Sequence, residues 1–427
     1  MKSFHDLIGS GVFNPVAKKF ISSYFLFRGL SVAINYLSQT FFVLFILDEF
    51  GATKAGLILS AYFLTSSLLD YPTGVISDYL GQKIVLFFAF ITYSLSFYIL
   101  GSATTDFTLI LGIMINSFSM SQQSGAIETW FDNNYKILEN GLDKDRKLYR
   151  LITARIGVTV EFLGGFMLLL GGYLSVTQDR EFVFTIQSIL YLILSFIVLF
   201  YFKSHYKREK TKENSNYLIQ FKLGIYVVTS NKVLLGLVIA FMIHTAVLNT
   251  YANFGLFPLY FGYTGSDLGA SYFRFSLFVA GSIATWFIAS WIKGLEVKVW
   301  LRRIHLAHTI FFLPVMGMLF FYFPIKNEYN PTAIVLFALT IFFGHLMRRS
   351  IQLILQRIYL DLVEDEMRNA FYSLLPSLST LLISPFIALS GYFVDYYGLP
   401  LLFVPLTLAI LLSTILYFKT LKLIQDD

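Results

Sequence analysis

The chain contains no cysteine. Disulfides, thiolate metal sites and thiol redox chemistry are therefore excluded. Charge is also scarce. Asp, Glu, Lys and Arg together make up 14% of the 427 residues, where a soluble domain carries about 25%. So few charges cannot cover a water-facing surface for a chain of this length. The phosphate loop G-x-x-x-x-G-K-[ST] is missing, which argues against ATP hydrolysis, and so are H-E-x-x-H and G-x-S-x-G. No polar stretch is long enough for a separate soluble domain, so an enzyme is not expected, and no cofactor is expected either. The net charge of +6 is scattered through short loops, which does not suit nucleic acid.

What is present is apolar: 56% hydrophobic residues, including 46 Phe and 27 Tyr. The apolar runs are roughly 20 residues long, the length of a helix crossing about 30 Å of hydrocarbon, rather than the alternating segments of about 10 that build a barrel. The spacing predicts an all-α polytopic membrane protein with twelve transmembrane helices. The spans are expected near 20–47, 55–77, 84–103, 107–131, 150–174, 182–202, 231–261, 268–292, 304–323, 332–357, 369–394 and 400–418. Met1 to Phe20 has no cleavable signal pattern, so the first span is expected to serve as an uncleaved insertion signal. One set of loops holds Lys18, Lys19, Lys83, Lys136, Lys144 to Lys147, the runs Lys203 to Lys222, Lys293 to Arg303 and Arg357 to Arg368, and Lys419 and Lys422. The alternate set holds only Lys54, Arg180 and Lys326. That bias places both termini on the cytoplasmic side of the inner membrane. The basic run after the sixth span divides the chain into an N-terminal half (1–202), a linker (203–230) and a C-terminal half (231–427). Arg150 to Tyr173 and Asn369 to Tyr392 each run from a charged loop to a Gly-Tyr pair over the same length, a weak internal repeat. Two six-helix halves fit that pattern.

Between the second and third spans the chain reads Gly74-x-x-x-Asp78-x-x-Gly81-Gln82-Lys83-x-x-Leu86. Glycines there allow helix ends to approach, and Asp78 is placed to cap a helix or meet a cation. This resembles the loop motif G-x-x-x-D-x-x-G-R-K-x-x-L of the major facilitator superfamily of secondary transporters, with Tyr79 in place of a basic residue and Gln82 in place of Arg. A second G-x-x-x-D-x-x-G occurs at Gly391, Asp395 and Gly398, on the opposite face by the expected topology, and reads as coincidence or a local turn. The resemblance implies two six-helix halves rocking about a central cavity by alternating access. It also implies that Asp132 meets Lys83 across the loop.

Ionisable groups inside spans cost several kcal/mol unless paired or hydrated, so each is a candidate. In the first span Arg28, Ser31, Asn35 and Ser38/Gln39 form one polar stripe. In the fourth, Ser117, Ser121, Ser124 and Glu128 share a face with Asn116 and Gln123 beside it. Arg28, Asp70 and Glu128 lie at one depth, as a buried ion cluster or an inner latch. In the fifth span Glu161 sits near the midplane among Phe162, Leu163 and Phe166, the surroundings a proton carrier needs. The segment Glu161 to Gly165 does not match the G-P-x-x-G-G signature of drug antiporters. In the seventh, His244, Asn249, Tyr251 and Asn253 interrupt an apolar run, and residues 249–255 read as a weakened or broken helix. His244 has no second His or carboxylate at metal-ligand spacing along the chain, so no metal site is expected. Arg274 sits in the eighth span. In the tenth, His345, Arg349, Gln352 and Gln356 form a stripe flanked by Arg348, suited either to snorkelling or to an anionic group.

The expected function is secondary transport of a small organic solute, coupled to protons with Glu161 as carrier, of an efflux or exchange type. The expected cavity residues are Arg28, Asn35, Gln39, Asn116, Glu128, Glu161, His244, Asn249 and Arg349. Asp70, Gly74, Asp78, Gly81, Lys83 and Asp132 are the expected gating residues. The partners expected are the solute, protons and membrane lipid, with the chain a monomer. The alternatives are an importer or exchanger of organic anions or sugars on the same fold, a membrane enzyme or lipid scramblase, and a receptor that does not transport.

Overall fold

The structure is a computed structural model, and it describes residues 4–144, 146–203, 217–291, 296–323, 330–364 and 368–423. Within them the chain is helical almost throughout, with no strand. The helices are α1 (Phe4–Ile8), α2 (Pro15–Tyr36), α3 (Phe42–Leu80), α4 (Gln82–Ser102), α5 (Asp106–Gln123), α6 (Ala126–Leu138), α7 (Lys147–Thr177) and α8 (Arg180–Tyr201). They continue as α9 (Tyr217–Ser230), α10 (Lys232–Thr250), α11 (Phe257–Thr264), α12 (Asp267–Trp291), α13 (Val297–Ala307), α14 (Leu313–Tyr322), α15 (Pro331–Leu362), α16 (Arg368–Tyr397) and α17 (Leu399–Leu423). Two π-helical segments, Tyr251–Leu256 and His308–Phe312, join α10 to α11 and α13 to α14. Among the described residues eight continuous helical stretches are long and apolar enough to cross a membrane: α4, α7, α8, α10 to α11, α13 to α14, α15, α16 and α17.

The helix starts follow local chemistry. Asn14 accepts from the Ala17 N–H at 2.9 Å, with Pro15 in the first turn, and Asp179 accepts from Phe182 N–H at 2.5 Å. Asn231 and Asn330 do the same for α10 and α15. Each side chain satisfies a backbone donor that the first helical turn leaves free.

The chain forms two compact units, one of Met1–Thr40 with Leu68–Glu213, the other of Phe41–Ser67 with Asn214–Asp427. Two facts therefore stand beside the expected division at 1–202 and 231–427. Residues 41–67 group with the second unit, and part of the expected linker is helix α9, whose Val227 and Val228 join the second unit's apolar core. The basic stretch 204–216 and Lys326 lie outside the described residues.

In the first unit α2 lies along α7 on small residues. A Cβ at Gly164 would reach Tyr36 at 2.9 Å, and one at Gly171 would land on the Leu37 carbonyl. Lipid tails are as apolar as Leu, so helices in a membrane associate through close packing and hydrogen bonds. The α4, α5 and α8 contacts use both. Ser96 donates to the Gly112 carbonyl at 2.9 Å, Asn116 Nδ2 donates to Ser96 Oγ at 3.2 Å, and Ser188 donates to the Ser94 carbonyl at 2.8 Å. Beside them Tyr93, Phe97 and Tyr191 stack, with ring centres 4.8 and 5.7 Å from Tyr191.

Two expected spans are interrupted. The first ends as a helix at Tyr36, turns through 37–41 and resumes at Phe42. The fourth stops at Gln123 and restarts at Ala126, because Gly125 adopts φ +68°, a left-handed conformation that glycine takes at little cost. Ser117 and Glu128 therefore do not share one helical face.

In the second unit both π segments end just before a proline, Pro258 and Pro314. Proline lacks an N–H and its ring crowds the carbonyl four residues back, and a widened turn accommodates this. The weakened helix expected at 249–255 is thus a continuous but widened one. The residue pair Gly391 and Asp395, expected to be coincidence or a local turn, has a packing and capping task. Gly56 and Gly391 meet backbone to backbone, and Asp395 accepts from the Thr53 N–H at 2.7 Å and from its hydroxyl. Asp395 caps the helix that restarts after Gly51, whose φ is +70°. Asp395→Ala is expected to cost about 1 kcal/mol and to lower the thermal midpoint of the purified protein. An unchanged midpoint would show the cap to be idle.

Candidate functional site

The break between α5 and α6 creates the site. In the first unit α2, α5 and α6 enclose a recess of about 220 Å³. Its polar wall is Arg28, Ser31, Gln123, Ser124 and Glu128, and Val32, Met120 and Ile127 supply the apolar part. Glu128 lies in the first turn of α6, where the helix dipole favours a negative group. Its carboxylate accepts a hydrogen bond from Arg28 Nη1 of α2. Gln123 Nε2 donates to Ser31 Oγ at 2.5 Å. The Asp70 carboxylate is hydrogen-bonded to Ser124, and the Thr73 hydroxyl donates to the Ser121 carbonyl at 2.9 Å, so the C-terminal part of α3 braces α5 at the recess.

The pair in the recess is accessible, with side chains 34% exposed for Arg28 and 47% for Glu128. An accessible ion pair is worth only about 0–1 kcal/mol, so a solute or a proton can displace either partner. The two charges cancel. The recess thus offers donors and acceptors of both kinds and no net charge.

Further along α6 a second cluster is fixed. Asp132 accepts from Arg146 and from Lys136, the latter at 2.7 Å. Asp132 is expected to meet Lys83; among the described residues its cations are instead Lys136 of the same helix and Arg146. Asp143 accepts from the Leu148 and Tyr149 N–H groups at 2.9 and 2.7 Å and from the Tyr135 hydroxyl at 2.8 Å. Burial raises the pKa of both carboxyls, but the hydrogen bonds and cations outweigh it, so both stand below the ordinary carboxylate value. The stability they contribute is complete above about pH 4–5 and is lost as pH falls through the lowered values. Asp143→Asn is expected to cost about 1–2 kcal/mol at neutral pH and to flatten the acid limb of the stability curve. An unaltered acid limb would remove Asp143 from it.

The other expected residues are distributed as follows. Asn35 is half-buried on α2, and Gln39 lies in the 37–41 turn rather than on the helical stripe. Asn116 is buried against Ser96, between α4 and α5. Glu161 is half-buried on α7 and does not line the recess. The neighbouring Val160 lies 3.8 Å from the position of a Cβ on Gly29, which places Glu161 near the depth of Arg28. Asn249 Nδ2 donates to the Thr245 carbonyl of its own helix at 2.9 Å. Arg349 is half-buried on α15, and Arg274 is buried over the Phe257 ring at 4.7 Å. Gly74 and Gly81 have open space where a Cβ would stand, so neither serves a close helix approach. Gly81 instead supplies φ +90° ahead of α4. Lys83 is half-buried in the first turn of α4, and the side chain of Asp78 lies outside the described ones.

Sequence reasoning missed two features. The helix break at Gly125 was signalled only by the Ser-Gly pair. His244 was read as solitary, yet its ring centre lies 4.7 Å from that of His305 and 5.3 Å from that of His308. The signal for that cluster was a pair of histidines three residues apart in the ninth span. Among the described residues no group of His, Cys, Asp and Glu has the arrangement of a metal site.

Solved structures that share this fold include two of a nucleoside transporter. Nucleoside transporter NupG matches with a TM-score of 0.73 and 14% identity, over 94% of this chain and 98% of that one. A point mutant of NupG matches with a TM-score of 0.72 and 16% identity, over 93% and 99%. At such identities the likeness concerns the fold alone. No curated protein matches the chain. The family profile of the Major Facilitator Superfamily matches residues 21–359. Long apolar helices, a chain matched from end to end by a transporter fold and a profile covering most of the sequence agree: this multi-pass membrane protein belongs to the Major Facilitator Superfamily of transporters.

Proposed function

We propose that the protein is a proton-coupled secondary transporter that exchanges a small, polar, net-neutral organic solute for protons, in the direction of export. The observation that carries this reading is the accessible Arg28–Glu128 pair in the recess of the first unit. A recess with no net charge disfavours an ion, which would have to shed its water without a counter-charge. Its guanidinium, amide, hydroxyl and carboxylate groups suit a solute rich in hydroxyl and amide functions. Glu128 can accept either a proton or a donor group of the solute, and occupancy by one excludes the other. That competition is the logic of exchange. Glu161, the carrier expected from the sequence, is the competing carboxylate. The loop charge asymmetry supports an inner-membrane location with both termini cytoplasmic, and the reading takes the chain to act as a monomer. Nucleosides are the first solutes to test, because they are polar and uncharged and because the similar folds carry a nucleoside transporter's name.

The test uses purified protein in sealed vesicles, a labelled nucleoside panel and an imposed pH gradient. Solute is expected to accumulate on the acidic side of the membrane. Accumulation on the alkaline side would replace exchange by co-transport. Transport indifferent to the gradient would remove the proton.

A further inference from the structure

The second unit holds three histidines that the recess does not use. His244 of α10, His305 of α13 and His308 of the second π segment are 3%, 0% and 0% exposed. The His305 Nδ1 is 2.8 Å from the Thr414 hydroxyl of α17. Among the described residues, neither ring nitrogen of His244 or of His308, nor Nε2 of His305, has a hydrogen-bond partner. Five buried polar atoms without partners at one place are costly. An apolar side chain on any of these three helices would pack there without that cost.

Aromatic rings flank two of the three histidines. The His305 ring centre lies 4.5 Å from that of Tyr417, and the His308 ring centre lies 4.8 Å from that of Phe312. Aromatic faces attract a cation within about 6 Å of the ring centroid. A protonated imidazole would also have the lone pairs of the two neutral rings beside it. A second proton is opposed, since two imidazolium charges at these separations repel strongly in a protein interior. Among the described residues, the charged and titratable groups around the cluster are Arg348 of α15, whose charge is felt at His244 and His308, Tyr417 of α17 with Tyr359 of α15 beside it, and Tyr251 against Phe312. The π segment begins at His308, and such widened turns recur at functional sites.

We propose that His244, His305 and His308 form a proton-binding site in the second unit that takes up a single proton for the three rings. It is separate from the Arg28–Glu128 recess, and it stands or falls by proton binding at equilibrium, with no transport required.

The test is a pH titration of the purified full-length protein with ring-¹⁵N histidine, read by NMR, in the wild type and in His244→Gln, His305→Gln and His308→Gln. The three rings are expected to report one joint protonation step. Each substitution is expected to shift the step in the two remaining rings, while His5 titrates as before. Thr414→Val, which removes only the hydroxyl beside His305, is expected to shift the same step if a glutamine variant does not fold. Three rings that stay neutral until the protein unfolds in acid would overturn the proposal. So would three that titrate independently of one another.

Discussion

Glu128→Gln is expected to abolish the effect of a pH gradient on transport while solute exchange at equal pH on both sides continues. Glutamine keeps the shape of the side chain and its acceptor oxygen but cannot bind or release a proton in the working range. Arg28, relieved of its counter-charge, leaves the recess net positive. Affinity for a neutral solute is expected to fall about 10- to 100-fold, the equivalent of about 1.4–2.8 kcal/mol. Gradient-driven transport and equilibrium exchange, measured on the same vesicles, separate the two effects. Glu161→Gln is the comparison. If it removes the gradient effect and Glu128→Gln does not, the carrier lies on α7, where the sequence alone placed it, and the recess is a solute site only.

Gly171→Ala is expected to prevent the first unit from folding, or to destabilise it by about 3 kcal/mol or more. The added methyl group would occupy the space of the Leu37 carbonyl, at the start of the turn joining α2 to α3. That turn is fixed from a second direction, by the Gln187 amide donating to the Ile34 carbonyl at 2.7 Å. Backbone on both sides leaves no flexible side chain to move aside. Gly157→Ala, on the same helix with open space around its Cβ position, is expected to be neutral or slightly stabilising, since alanine favours a helix by about 1 kcal/mol over glycine. Thermal melting and gel-filtration profiles of the two variants check this, and equal behaviour would contradict the described packing of α2 on α7.

Much of the architecture is legible from hydropathy, because lipid forces backbone polar groups into helices and lets few charges remain in them. Arg28 and Glu128 stand out for that reason, and the structure brings them together. What periodicity does not report is where a helix stops for one residue. Gly125 has polar neighbours that continue a plausible stripe, so the fourth span reads as unbroken and Glu128 is assigned to the wrong face. Pairing across helices is equally silent in one dimension. Asn116 looks like a cavity residue until Ser96 is found beside it. His244 looks solitary because its neighbours lie 61 and 64 positions further along the chain. Asp395 looks accidental because Thr53, the residue it caps, lies 342 positions earlier. Conversely, Gly74 matches a motif position, yet among the described residues nothing lies within 4 Å of where its Cβ would stand, so the match by itself reveals no packing role.

The natural absence of cysteine makes one measurement especially direct. Met120 lines the recess and is 40% exposed, so Met120→Cys creates a single thiol in an otherwise thiol-free protein. Its rate of reaction with a small maleimide is expected to fall severalfold when a transported solute is added, and to be unaffected by solutes that are not transported. A transported solute that leaves the rate unchanged at saturating concentration would place binding elsewhere and contradict the assignment of the Arg28–Glu128 recess.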